Sequence, residues 1–393
     1  MKRVYLDHIA ATPLDPGAAE AMRPFLDGRF GNPQSLHGDG QEALEAVEAA
    51  RGRVAALVGA ADSEIIFTAS GSEANNFAIK GLALARRDKG CHLVLSAVEH
   101  QSVLHSAKSL EKVGFSSTLV PVDKDGLVDP EEVRRAIRKE TVLVSVMLAN
   151  SEVGTIEPVA EISRVCRAAG VTLHTDAVAA AGNIPVDVGG LGVDALSLAG
   201  NQFYGPSGAA ALFIRKGVRI LPFVDGGIQE GGRRAGTENV MAIVGLGKAA
   251  ETAGLKLAER AAAMTALRNK LIAGLPGRVD HVVLTGHREK RLPHHASFCV
   301  EFVEGESMLL NLDMKGIAVS SGSACTSRAL KASHVLLAMG LDHALAQGSL
   351  VFSLVDGTTA PDIDYVLEVF PPIIERLRRM SPLYTKFLEE GPK

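Results

Sequence analysis

Short apolar and β-branched runs alternate with helical patterns from about residue 64 to residue 215. The runs cover residues 65–68, 92–95, 142–146, 171–174, 195–198 and 211–214. Regular alternation of strands with helices is typical of a mostly parallel sheet that has helices on both faces. The sequence therefore predicts an α/β fold for this part of the chain.

The pattern changes in the C-terminal third of the chain. An Ala/Leu/Lys/Arg-rich segment after Gly247 predicts one long helix, and beyond Gly277 the strand-like runs are scattered. We therefore expect a large α/β domain over residues 15–250. Residues 1–14 and 251–393 are expected to form a smaller α+β domain. Neither a Pro/Ser-rich linker nor a repeat marks a boundary between them.

Composition and charge narrow the classes of function. The chain has 393 residues and is 47% hydrophobic, so it can bury a large core. Its net charge of −4 and its one short basic run, at residues 376–379, do not indicate a basic surface that would bind nucleic acid or an anionic membrane. The basic run is instead expected to lie on a solvated helix face. A charge precedes any apolar run at the N-terminus, and no later stretch is long enough to span a bilayer. We expect a cytoplasmic protein without nucleic-acid or membrane partners.

The four cysteines are widely separated and form no C-x-x-C pair or zinc-finger spacing. Cys91, Cys166 and Cys299 lie within strand or helix patterns, where cysteine acts as a small core residue. Cys325 instead follows a Gly/Ser/Ala run, which predicts an open loop. Polar, open surroundings do not suppress thiol ionisation, so Cys325 is the candidate nucleophile.

A Gly/Ser turn joins the first apolar run to a helical pattern. Residues 69–76 read ASGSEANN, and exposed backbone N–H groups together with the helix dipole make such a turn an anion site. The Ser72 hydroxyl adds a donor. Taken alone, this signal is no stronger than an ordinary N-cap.

A collinear set of motifs across almost the whole chain resembles the NifS/IscS cysteine desulfurases. The motifs include residues 5–7 (YLD), 30–33 (FGNP), 99–100 (EH), 174–177 (HTDA), 204–206 (YGP), 304–307 (EGES), 320–327 (SSGSACTS) and 381–383 (SPL). The resemblance implies the class V aminotransferase-like architecture, fold type I of the enzymes that use pyridoxal phosphate (PLP), with a mostly parallel seven-stranded sheet. It also implies a homodimer and an iron–sulfur scaffold partner of the IscU/NifU type, which docks near residues 381–384.

The resemblance also implies a set of cofactor contacts. Gly71 and Ser72 match the phosphate-binding positions, His100 matches the residue that stacks on the ring, and Asp176 matches the partner of the pyridine nitrogen. Thr237 matches a residue that reaches the phosphate of the neighbouring subunit. Cys325 matches the residue that carries the persulfide.

Six departures from the family pattern fall around the expected cofactor. Gln202 stands where the family has its Schiff-base lysine, and a primary amide cannot form that bond. The other changes are Asn201 for histidine, Ala199 for serine, Ser151 for asparagine, Ala179 for glutamine and Asp356 for the arginine that binds the substrate carboxylate. An unpaired acid would repel that carboxylate by about 4 kcal/mol at ~4 Å. Asp176 is then expected to be hydrated or to hydrogen-bond Asn201 or Gln202.

Three functions remain open from the sequence. The first is sulfur transfer without PLP in iron–sulfur cluster assembly, with no covalently bound cofactor and with Cys325 as persulfide carrier or as ligand of a transient iron–sulfur cluster. The second is an active desulfurase with noncovalent PLP. The third is an inactive pseudoenzyme that pairs with an active desulfurase. The departures favour the first function and argue against bound PLP.

Overall fold

A seven-stranded sheet forms the centre of the computed structural model, which describes residues 3–321 and 332–391. The strands are β1 (Val4–Tyr5), β2 (Ile65–Thr68), β3 (His92–Ser96), β4 (Ser116–Val120), β5 (Thr141–Ser145), β6 (Thr172–Asp176), β7 (Ala195–Ala199), β8 (Ala210–Ile214), β9 (Val282–Leu284), β10 (His295–Val300), β11 (Ile317–Ala318) and β12 (Ser349–Ser353). The central sheet has the order β2-β8-β7-β6-β5-β3-β4, and β8 runs antiparallel to both of its neighbours. The remaining pairs are parallel, which confirms the predicted mostly parallel sheet.

Helices cover both faces of this sheet. They are α1 (Pro16–Met22), α2 (Gly38–Val58), α3 (Gly71–Ala85), α4 (Gln101–Glu111), α5 (Pro130–Ala136), α6 (Val159–Ala169), α7 (Val188–Leu191), α8 (Gln229–Gly232), α9 (Val240–Gly274), α10 (Gly305–Asp313), α11 (His334–Ala338), α12 (His343–Gln347), α13 (Ala360–Arg379) and α14 (Pro382–Glu390). On one face α2, α6 and α9 bury Val54, Ile162 and Leu246, and on the other α3 and α4 bury Phe77 and Val103. Burial of apolar area on both faces is the main force that holds these layers together.

Local sequence explains where two of these helices begin. Asp129 accepts a hydrogen bond from the Glu131 N–H while Pro130 occupies the first helical position of α5. Ser70 caps α3 by accepting a hydrogen bond from the Glu73 N–H. Both are favoured N-terminal arrangements, because a side-chain oxygen satisfies an amide that has no partner inside the helix.

The C-terminal part of the chain has a separate core. Strands β12, β10 and β9 form an antiparallel sheet, and Phe298, Phe352 and Phe370 pack in its core with α13. β1 joins this part by pairing with β11 in parallel. The predicted domain boundary at residue 250 falls inside α9, and the division itself stays a prediction.

Three local expectations are corrected. β4 was not predicted, because several of its side chains are partly exposed and leave no continuous apolar run. Cys91 is only half-buried, whereas Cys166 and Cys299 are buried as expected. The basic run does not simply solvate a helix face, since Arg378 is buried and donates to the Glu301 and Asp280 carbonyls. In the described residues, no helix is long and apolar enough to cross a membrane.

Candidate functional site

A cavity of about 510 Å³ lies at the carboxyl ends of β3, β5, β6 and β7, and we call it the carboxyl-edge cavity. Open α/β sheets place their ligand sites at this edge. Nine of the residues singled out from the sequence line it, namely Gly71, Ser72, His100, Ser151, Asp176, Ala179, Ala199, Asn201 and Gln202. Thr237 and Asp356 do not, and Cys325 lies outside the described residues. The structure therefore brings most of the predicted site together.

One wall of the cavity is the N-terminus of α3. Ser70, Gly71 and Ser72 line the cavity there, so the first amides of a 15-residue helix lie at its edge. A Cβ atom on Gly71 would come within 2.8 Å of Val178 Cγ2, so only glycine allows this close approach. A helix N-terminus with free amides favours an anionic group such as a phosphate.

Asp176 ends β6 at the base of the cavity and is 5% exposed. Its Oδ2 accepts a hydrogen bond of 2.6 Å from Asn75 Nδ2, and its Oδ1 accepts one of 2.9 Å from the Val178 N–H. The prediction that Asn201 or Gln202 is the hydrogen-bond partner of Asp176 is therefore wrong. Burial raises the pKa of Asp176, while the nearby imidazole of His100 and the two hydrogen bonds oppose that rise.

A chain of hydrogen bonds links Asp176 to His100. The Asn75 amide also donates to Ser102 Oγ at 2.9 Å, and that hydroxyl lies 2.7 Å from His100 Nδ1. The Ser102 N–H donates to the same nitrogen at 3.1 Å. Because Nδ1 accepts, the neutral imidazole carries its proton on Nε2. His100 is thus held as an Nε2–H donor at the cavity wall.

Glu99 adds a second buried acid to the cavity. Its Oε1 accepts hydrogen bonds from the Ser96 hydroxyl at 2.8 Å and the Met147 N–H at 2.7 Å, while its Oε2 is buried without a partner. Burial, and then the nearby Asp176 charge, raise the pKa of Glu99 well above its usual value. Folding therefore favours the protonated form of this side chain.

The sequence contained signals for Glu99 and Asn75 that were not used. Glu99 belongs to the EH motif, and Asn75 lies in the ASGSEANN turn that opens α3. An acid that follows a fully buried strand such as β3 points towards the ligand edge of the sheet. That position alone could have identified Glu99 as a site residue.

Gln202 closes the opposite wall and is 7% exposed. Its Nε2 donates to the Ile9 carbonyl at 2.9 Å, so the amide is engaged by backbone. The backbone carbonyl of Gln202 accepts from Asn183 Nδ2 at 3.1 Å and lies 2.9 Å from His8 Nε2. Among the lining residues that the structure describes there is no lysine. This wall offers no amine to a carbonyl ligand.

Asp356 is held away from the cavity by an ion pair. Its Oδ2 accepts from Arg260 Nε at 2.9 Å, and its N–H donates to Tyr204 Oη at 2.7 Å. The Arg260 guanidinium lies over the Tyr204 ring at 4.5 Å and is also 3.9 Å from Asp15. Because a cation neutralises the acid, its repulsion of a substrate carboxylate is weaker than expected for an unpaired charge.

The described side chains of the cavity suit the ring nitrogen and the phosphate of PLP, but none of them is an amine that could react with its aldehyde. A buried carboxylate at the base suits a protonated ring nitrogen, and the α3 amides with Ser72 suit a phosphate. Asn75 Oδ1 is buried without a partner, so the network has spare acceptor capacity. The side chains thus fit PLP held without a covalent bond. Within residues 3–321 and 332–391 there is no group of three metal-ligating side chains.

Relatives with established names align along nearly the whole chain. The protein is 49% identical to "Cysteine desulfurase IscS" of Dictyoglomus turgidum over 383 residues, which are 97% of each chain. It is 48% identical to "Cysteine desulfurase IscS" of Methanosarcina thermophila, over 98% of this chain and 95% of the relative. These alignments span both the central sheet and the C-terminal part.

These relatives correct the expectation about the cofactor. The sequence departures argued against bound PLP, but a chain that is 47–49% identical to cysteine desulfurases matches a PLP-dependent class of enzyme. The glutamine at position 202 is therefore not sufficient evidence that PLP is absent. Loss of the amine removes a covalent tether, whereas the base and phosphate contacts of a cofactor pocket depend on other residues.

Solved structures agree with the fold. A "NIFS-LIKE PROTEIN" superposes with a TM-score of 0.90 at 37% identity, over 96% of this chain and all of the other. A NifS-like protein from Rickettsia africae gives 0.86 at 30% identity, over 95% of this chain and all of the other. The Aminotransferase class-V family matches residues 4–366. The chain therefore belongs to the aminotransferase class-V family and has the fold of its NifS-like members.

Proposed function

We propose that this protein is a cysteine desulfurase that binds PLP noncovalently in the carboxyl-edge cavity. The observation that carries the proposal is the intact base of that cavity, where Asp176 is buried and hydrogen-bonded to Asn75 at 2.6 Å. Nearly full-length identity to named cysteine desulfurases supports cysteine as the substrate. This activity is the alternative that the sequence left open.

Three groups on the chain would hold the cofactor. Asp176 would bind the ring nitrogen, and His100 would stack on the face of the ring. The α3 amides and the Ser72 hydroxyl would bind the phosphate. When bound, PLP supplies an electron-withdrawing ring that stabilises negative charge on an amino-acid substrate. Gln202 contributes polar contact to this wall but no covalent bond.

Proton transfer must rely on groups other than a lysine. Burial raises the pKa of Glu99 and so favours its protonated form, and His100 presents Nε2–H because its Nδ1 accepts from the Ser102 N–H. A positioned acid or base contributes about 10²–10⁴ to a rate. Since no amine in the described lining serves this role, we expect slower turnover than in a desulfurase with a lysine.

Sulfur delivery is assigned to Cys325 on sequence grounds. We propose that its thiolate attacks the sulfur of the cysteine substrate and forms the S–S bond of a persulfide. The substrate's Cβ–S bond breaks in this step, its electron pair stays on Cβ, and Cβ takes up a proton to give alanine. Persulfide transfer needs an acceptor, and a scaffold protein that docks at α14 is proposed for that role. Leu383 and Leu388 on this helix are 60% and 65% exposed, which supports an apolar docking surface.

A homodimer is part of the proposal. Leu36 is 94% exposed, Phe30 79% and Ile228 76%, so large apolar side chains lie on the surface of the isolated chain. Apolar surface of this kind favours association. Thr237, which does not line the cavity of its own chain, is then proposed to reach the phosphate in the partner subunit.

The decisive experiment measures cofactor retention and sulfide release together. Purified protein is incubated with PLP, passed through gel filtration, and then supplied with cysteine and a thiol reductant, which reduces the persulfide and releases its outer sulfur as sulfide. We expect a visible absorbance band that is lost on extensive dialysis, and sulfide release that depends on added PLP. Cys325→Ser should keep the band but lose the persulfide. If the wild-type protein shows no absorbance band and releases no sulfide, the proposal is refuted.

A further inference from the structure

We propose that a second cavity, at the opposite edge of the central sheet, is a binding site for a phosphate group. This amino-edge cavity has a volume of about 220 Å³ and lies at the start of β6 and in the turn before β7. Arg86, Arg167, Ser163, Thr172 and Asp194 supply its polar lining. It shares no lining residue with the carboxyl-edge cavity.

Two arginines reach this cavity from different helices. Arg86 is the C-cap residue of α3, the helix whose other end lies at the carboxyl-edge cavity, and Arg167 is in the last turn of α6. Within the described part of the chain, neither guanidinium forms an ion pair with a carboxylate. Arginine is the side chain best suited to phosphate, because its planar donors match two phosphate oxygens at once.

Buried polar atoms without partners mark the same place. Thr172 is 2% exposed, and its hydroxyl has no hydrogen-bond partner among the described residues. Arg86 Nε is likewise buried without an acceptor in this part of the chain. Unpaired buried polar groups cost stability, so a ligand that supplied acceptors would relieve that cost. A phosphate oxygen is an acceptor for both kinds of donor.

Asp194, the acidic residue in the lining, does not neutralise the positive charge of Arg86 and Arg167. Asp194 Oδ2 accepts from the Leu173 N–H at 2.9 Å, and its Oδ1 lies 3.9 Å from Arg215 Nε. A third arginine therefore balances this acid and leaves Arg86 and Arg167 available to an anion. The alternative role for Arg167 is to complement the negative end of α6, which requires no ligand.

The ligand class is inorganic phosphate or a small phosphomonoester. The lining is dominated by donors and charge, with Val171 and Leu173 as its apolar members. Calorimetric titration at constant ionic strength with inorganic phosphate, glycerol 3-phosphate and glycerol separates these sources. Tighter binding of glycerol 3-phosphate than of phosphate indicates an organic phosphate, whereas equal affinity indicates phosphate alone. Glycerol should not bind.

Matched variants assign the site. Arg86→Gln and Arg167→Gln should each weaken phosphate binding about tenfold, the value of one charge-assisted hydrogen bond. Thr172→Val, which keeps the side-chain shape, should weaken it less. The control Arg164→Gln changes an exposed arginine on the same helix and should have no effect. Thermal unfolding in phosphate-free buffer tests whether each variant remains folded.

A second control separates the two cavities. Ser72→Ala alters the phosphate-binding turn of the carboxyl-edge cavity and should leave amino-edge binding unchanged. Phosphate binding that is weakened by Ser72→Ala but not by Arg86→Gln or Arg167→Gln would overturn the proposal, as would no phosphate binding at all. Retained binding in Arg167→Gln alone would limit that residue to helix stabilisation and also contradict the two-arginine site. None of these results depends on PLP or cysteine turnover.

Discussion

The two walls of the carboxyl-edge cavity differ in how many of the cofactor-binding groups implied by the desulfurase resemblance they contain. The wall built from α3 and the end of β6 has a buried carboxylate, a connected hydrogen-bond network and a helix N-terminus. The wall built from residues 199–202 has two amides and an alanine, and its Gln202 side chain is bound to backbone. Binding groups and reactive groups thus occupy separate segments and can change independently.

This difference has a physical basis. Asp176 and Asn75 are hydrogen-bonded across 101 positions of sequence, so replacing either one with an apolar side chain would leave a buried polar group unpaired. Gln202 faces no such constraint, because its amide finds a carbonyl acceptor in Ile9. The network around Asp176 is therefore costly to dismantle, whereas a change at position 202 is readily accommodated.

The largest expected effect comes from restoring both reactive groups. Gln202→Lys supplies an amine in the wall, and Asp356→Arg supplies a cation for the substrate carboxylate. We expect the double variant to retain PLP through dialysis and to release sulfide from cysteine at least about 10²-fold faster, which corresponds to one positioned acid–base group. Sulfide assays and mass analysis after borohydride reduction measure both effects.

The single variants show which group limits the reaction. Gln202→Lys alone should fix PLP covalently, with a mass increase after reduction that the wild type lacks. Asp356→Arg alone places two cations together, since Arg260 now pairs with that acid at 2.9 Å. It should therefore lower thermal stability without fixing PLP. If the double variant is no faster than the wild type, the altered wall does not limit activity.

The second prediction tests the retained wall. Asp176→Asn removes the charge at the base of the cavity, and we expect PLP affinity to fall about 10- to 100-fold, as one charged hydrogen bond contributes about 1.5–3 kcal/mol. Equilibrium titration followed by absorbance measures the loss. Asn201→Ala, on the altered wall, is the control and should change affinity far less.

The same variant should gain stability when no ligand is bound. Burial raises the pKa of Asp176 in the folded state, so folding favours its protonated form. Its contribution to stability is greatest below the unfolded value of 3.8 and is lost as the pH rises through the folded value. At pH 7 the ligand-free Asp176→Asn protein should therefore melt above the wild type. A lower melting temperature would show that ionised Asp176 stabilises the fold.

Sequence patterns predicted the framework of this site but not its contacts. Fully buried strands such as β2 and β8 are largely apolar runs, and the turn at Gly71 is rich in Gly and Ser, so their positions could be inferred. The partner of Asp176 could not, because Asn75 is brought to it only by the packing of α3 on the sheet. The pairing of Asp356 with Arg260 spans 96 positions and likewise depends on the fold.

The smallest expected effect concerns pH and an acid between the two walls. Glu152 lines the cavity, and its Oε2 accepts a hydrogen bond from the Ser333 hydroxyl. Burial raises the pKa of Glu152 to about 7. Above that pH the ionised carboxylate adds negative charge beside the site proposed for a phosphate-bearing ligand. PLP affinity should therefore fall a few-fold as the pH rises from 6 to 8, as measured by equilibrium titration. Glu152→Gln should remove the decline, and an unchanged decline in that variant would assign it to another group.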